Sequence, residues 1–386
     1  MMHKASALIA LVGASTALIA GAQGGSAAGG GLGDPQRHAA QGERAVTVPA
    51  QVAHTAPPAT ARTGVGHGVR VGKVTITTRE RNGTYELVDP TRGGLSTHDF
   101  FADDNKKPLS DRDNVWGDGT MKSRQSAAVD AHFAAEKTWD YFQNTFGRRG
   151  VHNDGKGPSM TVHYDRNRAD AFADHNGASF GDGKDGKNPT TSVDVVAHEY
   201  THAINQATAR LASSGEGAGL NEATSDIFGT MVEFYANTPA DAPDYLIGEK
   251  ANFYGDGKPL RYMDKPSRDG KSPDYYKPGI GRPDNVHYAA GVANHFFYLL
   301  AEGSGKKVIN GTAYNSPTHN GSKITGIGRS KAARIWYKAL TTQFSSTTNY
   351  KSARAGTLKA SAALYGKNST EYRTVEQAWT AVNVKQ

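Results

Sequence analysis

His198 and His202 stand four residues apart in "DVVAHEYTHAINQAT", with Glu199 directly after the first histidine. In an α-helix, positions four apart lie on one face, one above the other, so two imidazoles there can aim nitrogens at one point. That is half of the donor set of a tetrahedral Zn²⁺ site with ligand nitrogens at ~2.0–2.1 Å. Glu199 is rotated by about 100° from His198 on the same helix, which puts it beside such an ion without aiming at it. A carboxylate there can take a proton from a water that the metal activates. His-Glu-x-x-His on a helix thus points to metal-assisted hydrolysis.

Two histidines do not complete a catalytic zinc site, which needs a third protein ligand and one open position. Glu222, in "GLNEATSDIFG", lies twenty residues past His202 on the next predicted helix, and Asp226 follows one turn later on the same face. Glu222 would complete a His₂Glu set. Asp226 could accept the outer N–H of one ligating histidine and Asn221 could hold the other. A second reading makes Glu222 and Asp226 ordinary solvated helix acids. With no cysteine in the chain, thiolate ligands and disulfides are out, and a metal must be held by His, Asp, Glu or backbone oxygens.

The frame for these residues is a chain of 386, long enough for two domains or one two-lobed domain. "VRVGKVTITT" and "GTYELVDP" alternate polar and apolar residues around the turn signal "RNG", which predicts a hairpin of strands. A helix is predicted over 126–147, ending at Gly147, and a strand over 159–165. The loop "GDGKDGKN" (181–188) reads as a turn, because Lys184 stands where a calcium loop requires an oxygen ligand. A second helix is predicted over 221–237, and from 287 onward the pattern is mostly helical. Strands first and helices last argue for an α+β protein with a helical C-terminal lobe.

Charge and the N-terminus narrow the setting. The net charge of +7 is spread along the chain with no run of five or more Lys/Arg, which argues against a nucleic-acid partner. Residues 1–28 read as a secretory signal peptide: a weakly cationic start, a short apolar run "ASALIALVGASTALIAGA", then small residues. No second stretch is long enough to span a membrane. Residues 29–63 are rich in Gly, Ala, Pro, Thr and Gln and read as a disordered leader or short prosegment. A secreted chain without disulfides needs another source of rigidity, for which calcium is a candidate.

"HEYTHA" followed by "GLNEATSDIFG" resembles the thermolysin family of secreted bacterial zinc endopeptidases. "YELVDPTRGG", "AAVDAHFAAEKTWDYF", "VHYAAGVANHFFYLLAEG" and "ALYGKNSTEYRTVEQAWTAVNV" fall in that family's order, and the resemblance covers about residues 64–386. It implies a β-rich N-terminal lobe (64–208) that includes the zinc helix, a helical C-terminal lobe (209–386), and a cleft between them floored by that helix. It implies one zinc on His198, His202 and Glu222, with Glu199 as general base. His287 matches a second active-site histidine that donates to the oxyanion, and Arg261 matches the arginine that holds the substrate carbonyl. Asp170 and Ala171 match edge-strand positions that pair with the substrate backbone, Asp170 standing where the family usually has Asn. Val195, Ile247 and Leu260 match the pocket for the residue after the cut, which implies cleavage on the amino side of bulky apolar residues.

Asp194, Glu233, Asp244 and Glu249 match carboxylates of the family's calcium cluster. Leu246 stands where an acidic ligand is common, so one structural calcium is expected. Ser213 stands where the family has a tyrosine that assists His287; Tyr288 is a candidate substitute but reads first as a core or surface tyrosine, and the short loop before His287 argues against Asp284 as its carboxylate partner. The resemblance implies protein and peptide substrates and a monomer. Two other readings remain at this point: a catalytically weakened binding protein on the same scaffold, motivated by Ser213, and an aminopeptidase on a related one.

Overall fold

A computed structural model describes residues 60–101, 107–165, 167–174, 177–281 and 286–385. The signal segment, residues 29–59 of the leader, and Asp284 lie outside the described residues, while residues 60–63 already belong to the first strand.

The N-terminal lobe holds β1 (Thr60–Gly68), β2 (Gly72–Arg81), β3 (Thr84–Glu86), β4 (Val88–Asp89), β5 (Leu95–Asp99), β6 (Ser110–Asp111), β7 (Val115–Trp116), β8 (Ser159–Val162), β9 (Ala171–Ala173) and β10 (Gly177–Phe180). They form two five-stranded sheets, in the orders β6-β3-β2-β1-β7 and β4-β5-β8-β10-β9. The "RNG" turn closes β2 onto β3 with Asn82 and Gly83 both at positive φ (54° and 75°), the geometry that only Asn and Gly adopt cheaply. The strand expected over 159–165 stops at Val162, because His163 takes a left-handed φ of 60°.

Helix α1 (Arg124–Phe146) packs against β1, β5 and β8 and ends where Gly147 turns left-handed and its N–H bonds Gln143 at 2.9 Å. Its alanines at 127, 128, 131, 134 and 135 are fully buried, which lets strands of both sheets approach closely. Asp130 receives the backbone N–H groups of Val69, Arg70 and Val71 at 2.9–3.1 Å, and clamps the β1–β2 turn. His132 ties the two sheets together: Nε2 donates to the Thr77 carbonyl of β2 at 2.9 Å, and Nδ1 accepts from the Thr97 hydroxyl of β5 at 2.9 Å.

Burial lowers the His132 pKa from 6.5 to about 4, so the ring is neutral in the folded state. A base whose folded pKa is depressed contributes in full above its unfolded pKa and loses that contribution as pH falls toward the folded one. Stability is therefore expected to drop by on the order of 3 kcal/mol between pH 6.5 and 4 from this ring alone. Urea midpoints measured across that range should slope less in His132→Gln, and equal slopes would remove the assignment.

The second lobe is helical, as the sequence predicts. Between the lobes run α2 (Val193–Ala207) and α3 (Gly215–Ala236), the latter starting six residues before the expected 221. They are followed by β11 (Leu246–Ile247), β12 (Arg261–Tyr262), the short α4 (Val286–Ala289), α5 (Gly291–Glu302), β13 (Gly305–Ile309), β14 (Thr312–Ser316), α6 (Arg329–Thr342), α7 (Tyr350–Tyr365) and α8 (Thr370–Ala381). The β13–β14 hairpin is the exception to the expected helical run, turned by Asn310 and Gly311 at φ 48° and 88°. Phe296 of α5 stacks on Trp379 of α8 at 3.8 Å, beside Trp336 of α6, and closes this lobe's core. Among the described residues no helix is long and apolar enough to cross a membrane.

Candidate active site

Helices α2 and α3 carry the motif residues, and their close approach starts with one glycine. A Cβ on Gly229 of α3 would lie 2.6 Å from the carbonyl of Asp194 in the first turn of α2, so no other residue fits at this crossing. With the helices this near, the structure brings His198, His202 and Glu222 together. The two Nε2 atoms are 3.0 Å apart, and Glu222 Oε2 and Oε1 lie 3.5 Å and 3.6 Å from His198 and His202. All three ligand atoms fall within 4.8 Å of one another.

The outer nitrogens fix the tautomers. His198 Nδ1 lies 2.8 Å from Asp226 Oδ1, and His202 Nδ1 lies 2.9 Å from Asn221 Oδ1, which also takes the side-chain N–H of Asn205 at 2.9 Å. With Nδ1 donating in each ring, both Nε2 lone pairs and a carboxylate converge on one point, a donor set that suits a divalent cation. The electrostatics agree. Against the cost of burial, hydrogen bonds donated to Asp226 and Glu222 lift the His198 imidazole to about 10, so the pocket stabilises positive charge at this point, a proton on Nε2 or a cation in its place. Glu222 would rise on burial, yet His202 and His198 hold it far below the carboxylate range.

Asp226 is fully buried and is the hub behind the site. Arg261 of β12 donates to it through Nε and Nη2, each at 2.7 Å, and Asn294 of α5 donates at 2.8 Å. Asn294 escapes sequence reading, although a polar residue inside the apolar run "VANHFFYLL" is the kind of signal that flags a buried network. His287, on α4, has Nε2 3.8 Å from Glu222 Oε2 and a half-exposed side chain. Glu199 is 7% exposed, and burial lifts its carboxyl while His198 and His202 pull it back.

Strand β9 packs against α2. Ala171 opens β9, the outer strand of its sheet, whose described partner is β10 alone; Asp170 precedes it and is paired with Arg168 at 2.9 Å. Val195 and Ile247 are buried; Leu260 bonds Ile247 through its backbone at 2.7 Å and packs at Gly248 beside Phe253. Gly248 in turn donates to Asp194, next to Val195, at 2.6 Å, which ties the turn of Ile247 and Leu260 to the start of α2. Ser213 is exposed just before α3, and the Tyr288 ring lies under the Lys271 ammonium at 5.3 Å.

Beside α2 lies a second acidic group. Glu233, Asp241 and Glu249 offer oxygens within 4.8 Å of one another. Both Glu233 oxygens, Asp241 Oδ1 and Glu249 Oε2 are buried without a hydrogen-bond partner among the described residues. Burial and the neighbouring Asp194 charge push Asp241 to about 7 and Glu249 to about 10. Asp194 is spent on Ser192 and Gly248, both at 2.6 Å, and Asp244 on the Leu246 N–H at 2.6 Å. Asp241 is not among the expected ligands: it enters from the turn after α3, which bridges Thr238 to Asp241.

Comparison with known proteins matches the same two lobes. The family model for the thermolysin metallopeptidase catalytic domain matches residues 63–206, and that for the thermolysin metallopeptidase α-helical domain matches residues 209–384. The chain belongs to the thermolysin family. It is 50% identical over 325 residues to a transglutaminase-activating metalloprotease of Streptomyces mobaraensis, covering 83% of this chain and 42% of that protein. It is 39% identical to a thermolysin of Alicyclobacillus acidocaldarius (84% and 58% covered) and 38% identical to a bacillolysin of Bacillus cereus (84% and 55% covered). The chain thus spans about half the length of these relatives. The solved precursor of protealysin, a metalloproteinase from Serratia proteamaculans, superimposes with a TM-score of 0.59 at 25% identity, covering 76% of this chain and 89% of that one. Thermolysin-family membership implies zinc, and the donor set of His198, His202 and Glu222 fits it.

Proposed function

We propose that the chain is a secreted zinc endopeptidase that cuts on the amino side of bulky apolar residues and carries one structural calcium. The observation that carries this reading is the convergence of two Nε2 lone pairs and one carboxylate within 4.8 Å, each histidine held from behind. Zinc held by His198, His202 and Glu222 would supply Lewis acidity at the scissile carbonyl. Glu199 takes the proton of the attacking water and delivers it to the leaving nitrogen. His287 donates to the developing oxyanion, and Arg261, held by Asp226, supports the substrate carbonyl with its free N–H groups. The open edge of β9 at Asp170–Ala171 pairs with the substrate backbone. Val195, Ile247 and Leu260 line an apolar slot, and because such slots separate similar side chains by only ~1–3 kcal/mol, cleavage is broad.

Ser213 supports one competing reading, a scaffold with weakened catalysis, since no phenol stands there to assist His287. Metal removal tests both. Hydrolysis of a peptide blocked at both ends should vanish with o-phenanthroline and return with zinc. Silence with zinc bound would favour the weakened scaffold, and cleavage confined to free N-termini would favour an aminopeptidase. Calcium is supported separately by the buried oxygens of Glu233, Asp241 and Glu249 that receive no hydrogen bond among the described residues, although Lys250 stands 3.8 Å from Asp241 Oδ1. Removing it with EGTA should lower the melting temperature by about 5 °C or more, and an unchanged melt would exclude calcium there.

A further inference from the structure

Apart from the zinc and acidic clusters, a cleft of about 690 Å³ lies between the segment after β12 and the β13–β14 hairpin. Lys265 and Arg268 line one wall; Lys306, Lys307 and Val308 of β13 line the other. Two of these cations are already answered: Arg268 pairs with Asp264 at 3.2 Å and lies over the Tyr262 ring at 4.1 Å, and Lys307 pairs with Glu302 at 2.8 Å. Lys265 and Lys306 are exposed, and neither has a carboxylate partner among the described residues. The cleft therefore carries unneutralised positive charge.

Two more features mark it as a place for an extended chain. Val308 is 69% exposed, an apolar side chain left facing solvent among lysines. Its strand, β13, is paired with β14 and with no other strand among the described residues. The position also matters. Lys265 lies four residues beyond Arg261, at most about 14 Å along the backbone. That separation brings Lys265 within reach of the flanks of a polypeptide whose scissile bond lies by Arg261, and Lys306 lines the same cleft.

We infer that this cleft is an exosite for an acidic, extended segment of the protein substrate, held on Lys265 and Lys306 with an apolar residue on Val308, while the bond to be cut lies in the zinc site. This rests on the peptidase reading above. The test uses the zinc- and calcium-loaded full chain and two quenched-fluorescence peptides sharing one cleavable centre, one with Glu-rich and one with Gly/Ser-rich flanks. Acidic flanks should raise kcat/KM about tenfold, the worth of two exposed ion pairs, and raised ionic strength should erase the gain. The double variant K265E/K306E should lose the gain while cutting the neutral peptide as before. No preference in the parent chain, or a preference that survives the double variant, overturns the exosite. If neither peptide is cut, the peptidase reading fails and the exosite is judged by fluorescence anisotropy of the labelled acidic peptide. Binding that the double variant weakens supports it; equal or undetectable binding overturns it.

Discussion

Glu199→Gln will keep its zinc and its fold and lose hydrolysis by about 10³-fold or more, the range expected when a general base is removed. The substitution is nearly isosteric, and the Glu199 carboxylate makes no hydrogen bond among the described residues, so no hydrogen bond of the fold depends on its charge. Burial disfavours that charge in the first place, which means the neutral amide should melt at or slightly above the parent temperature. What the amide cannot do is accept a proton. Three measurements separate the possibilities: zinc content by elemental analysis, melting temperature, and kcat/KM on a blocked peptide. Full zinc and an unchanged melt with activity within tenfold of the parent would remove Glu199 from the mechanism. Loss of zinc would instead assign it a ligand role that the His₂Glu geometry does not call for.

The parts of this molecule legible in its sequence are those encoded by local periodicity. Two histidines four apart and a glutamate twenty residues on are properties of helix geometry, and α2 and α3 present them as that geometry requires. The C-cap at Gly147 and the Asn82–Gly83 turn are equally local, set by the backbone angles those residues tolerate. The misses share a different cause. The β13–β14 hairpin falls in a gap between the helices expected from 287 onward, and its exposed strand "GKKVI" offers no amphipathic alternation to announce it. Asp241 enters the acidic group because a turn after α3 folds back onto Glu233 and Glu249, a tertiary event with no periodic signature. The strand end at Val162 depends on a left-handed His163, which is held by Asp182 at 2.7 Å, nineteen residues away. Pairwise spacing exposes chemistry within one or two helices; it is blind to what a loop brings from elsewhere.

Asp226 shows how far the site depends on such remote convergence, and Asp226→Asn is expected to have the second large effect. The carboxylate has no exposed surface and accepts four hydrogen bonds, from His198, twice from Arg261, and from Asn294. An amide of the same shape keeps one acceptor oxygen and turns its other end into a donor facing Arg261 or Asn294. The Arg261 guanidinium, 12% exposed on its side chain, would then lose its only carboxylate partner among the described residues. Stripping one member from a buried ion pair costs about 3–5 kcal/mol, which for a domain of this size lowers the melting temperature by roughly 5 °C. The second consequence is at the metal. Without a carboxylate on Nδ1, the His198 ring loses both its orientation and the added basicity of Nε2, and zinc affinity should fall by about 10–100-fold. Asn221→Ala provides the comparison, since Asn221 holds His202 through a neutral amide and pairs with no buried charge. It should weaken zinc by less and cost far less stability. Competition of each variant against a zinc-sensitive chelating dye, with melts run on the same samples, resolves the two effects. Parent-like zinc affinity in Asp226→Asn would mean that α2 by itself orients His198, and that the buried carboxylate serves only Arg261.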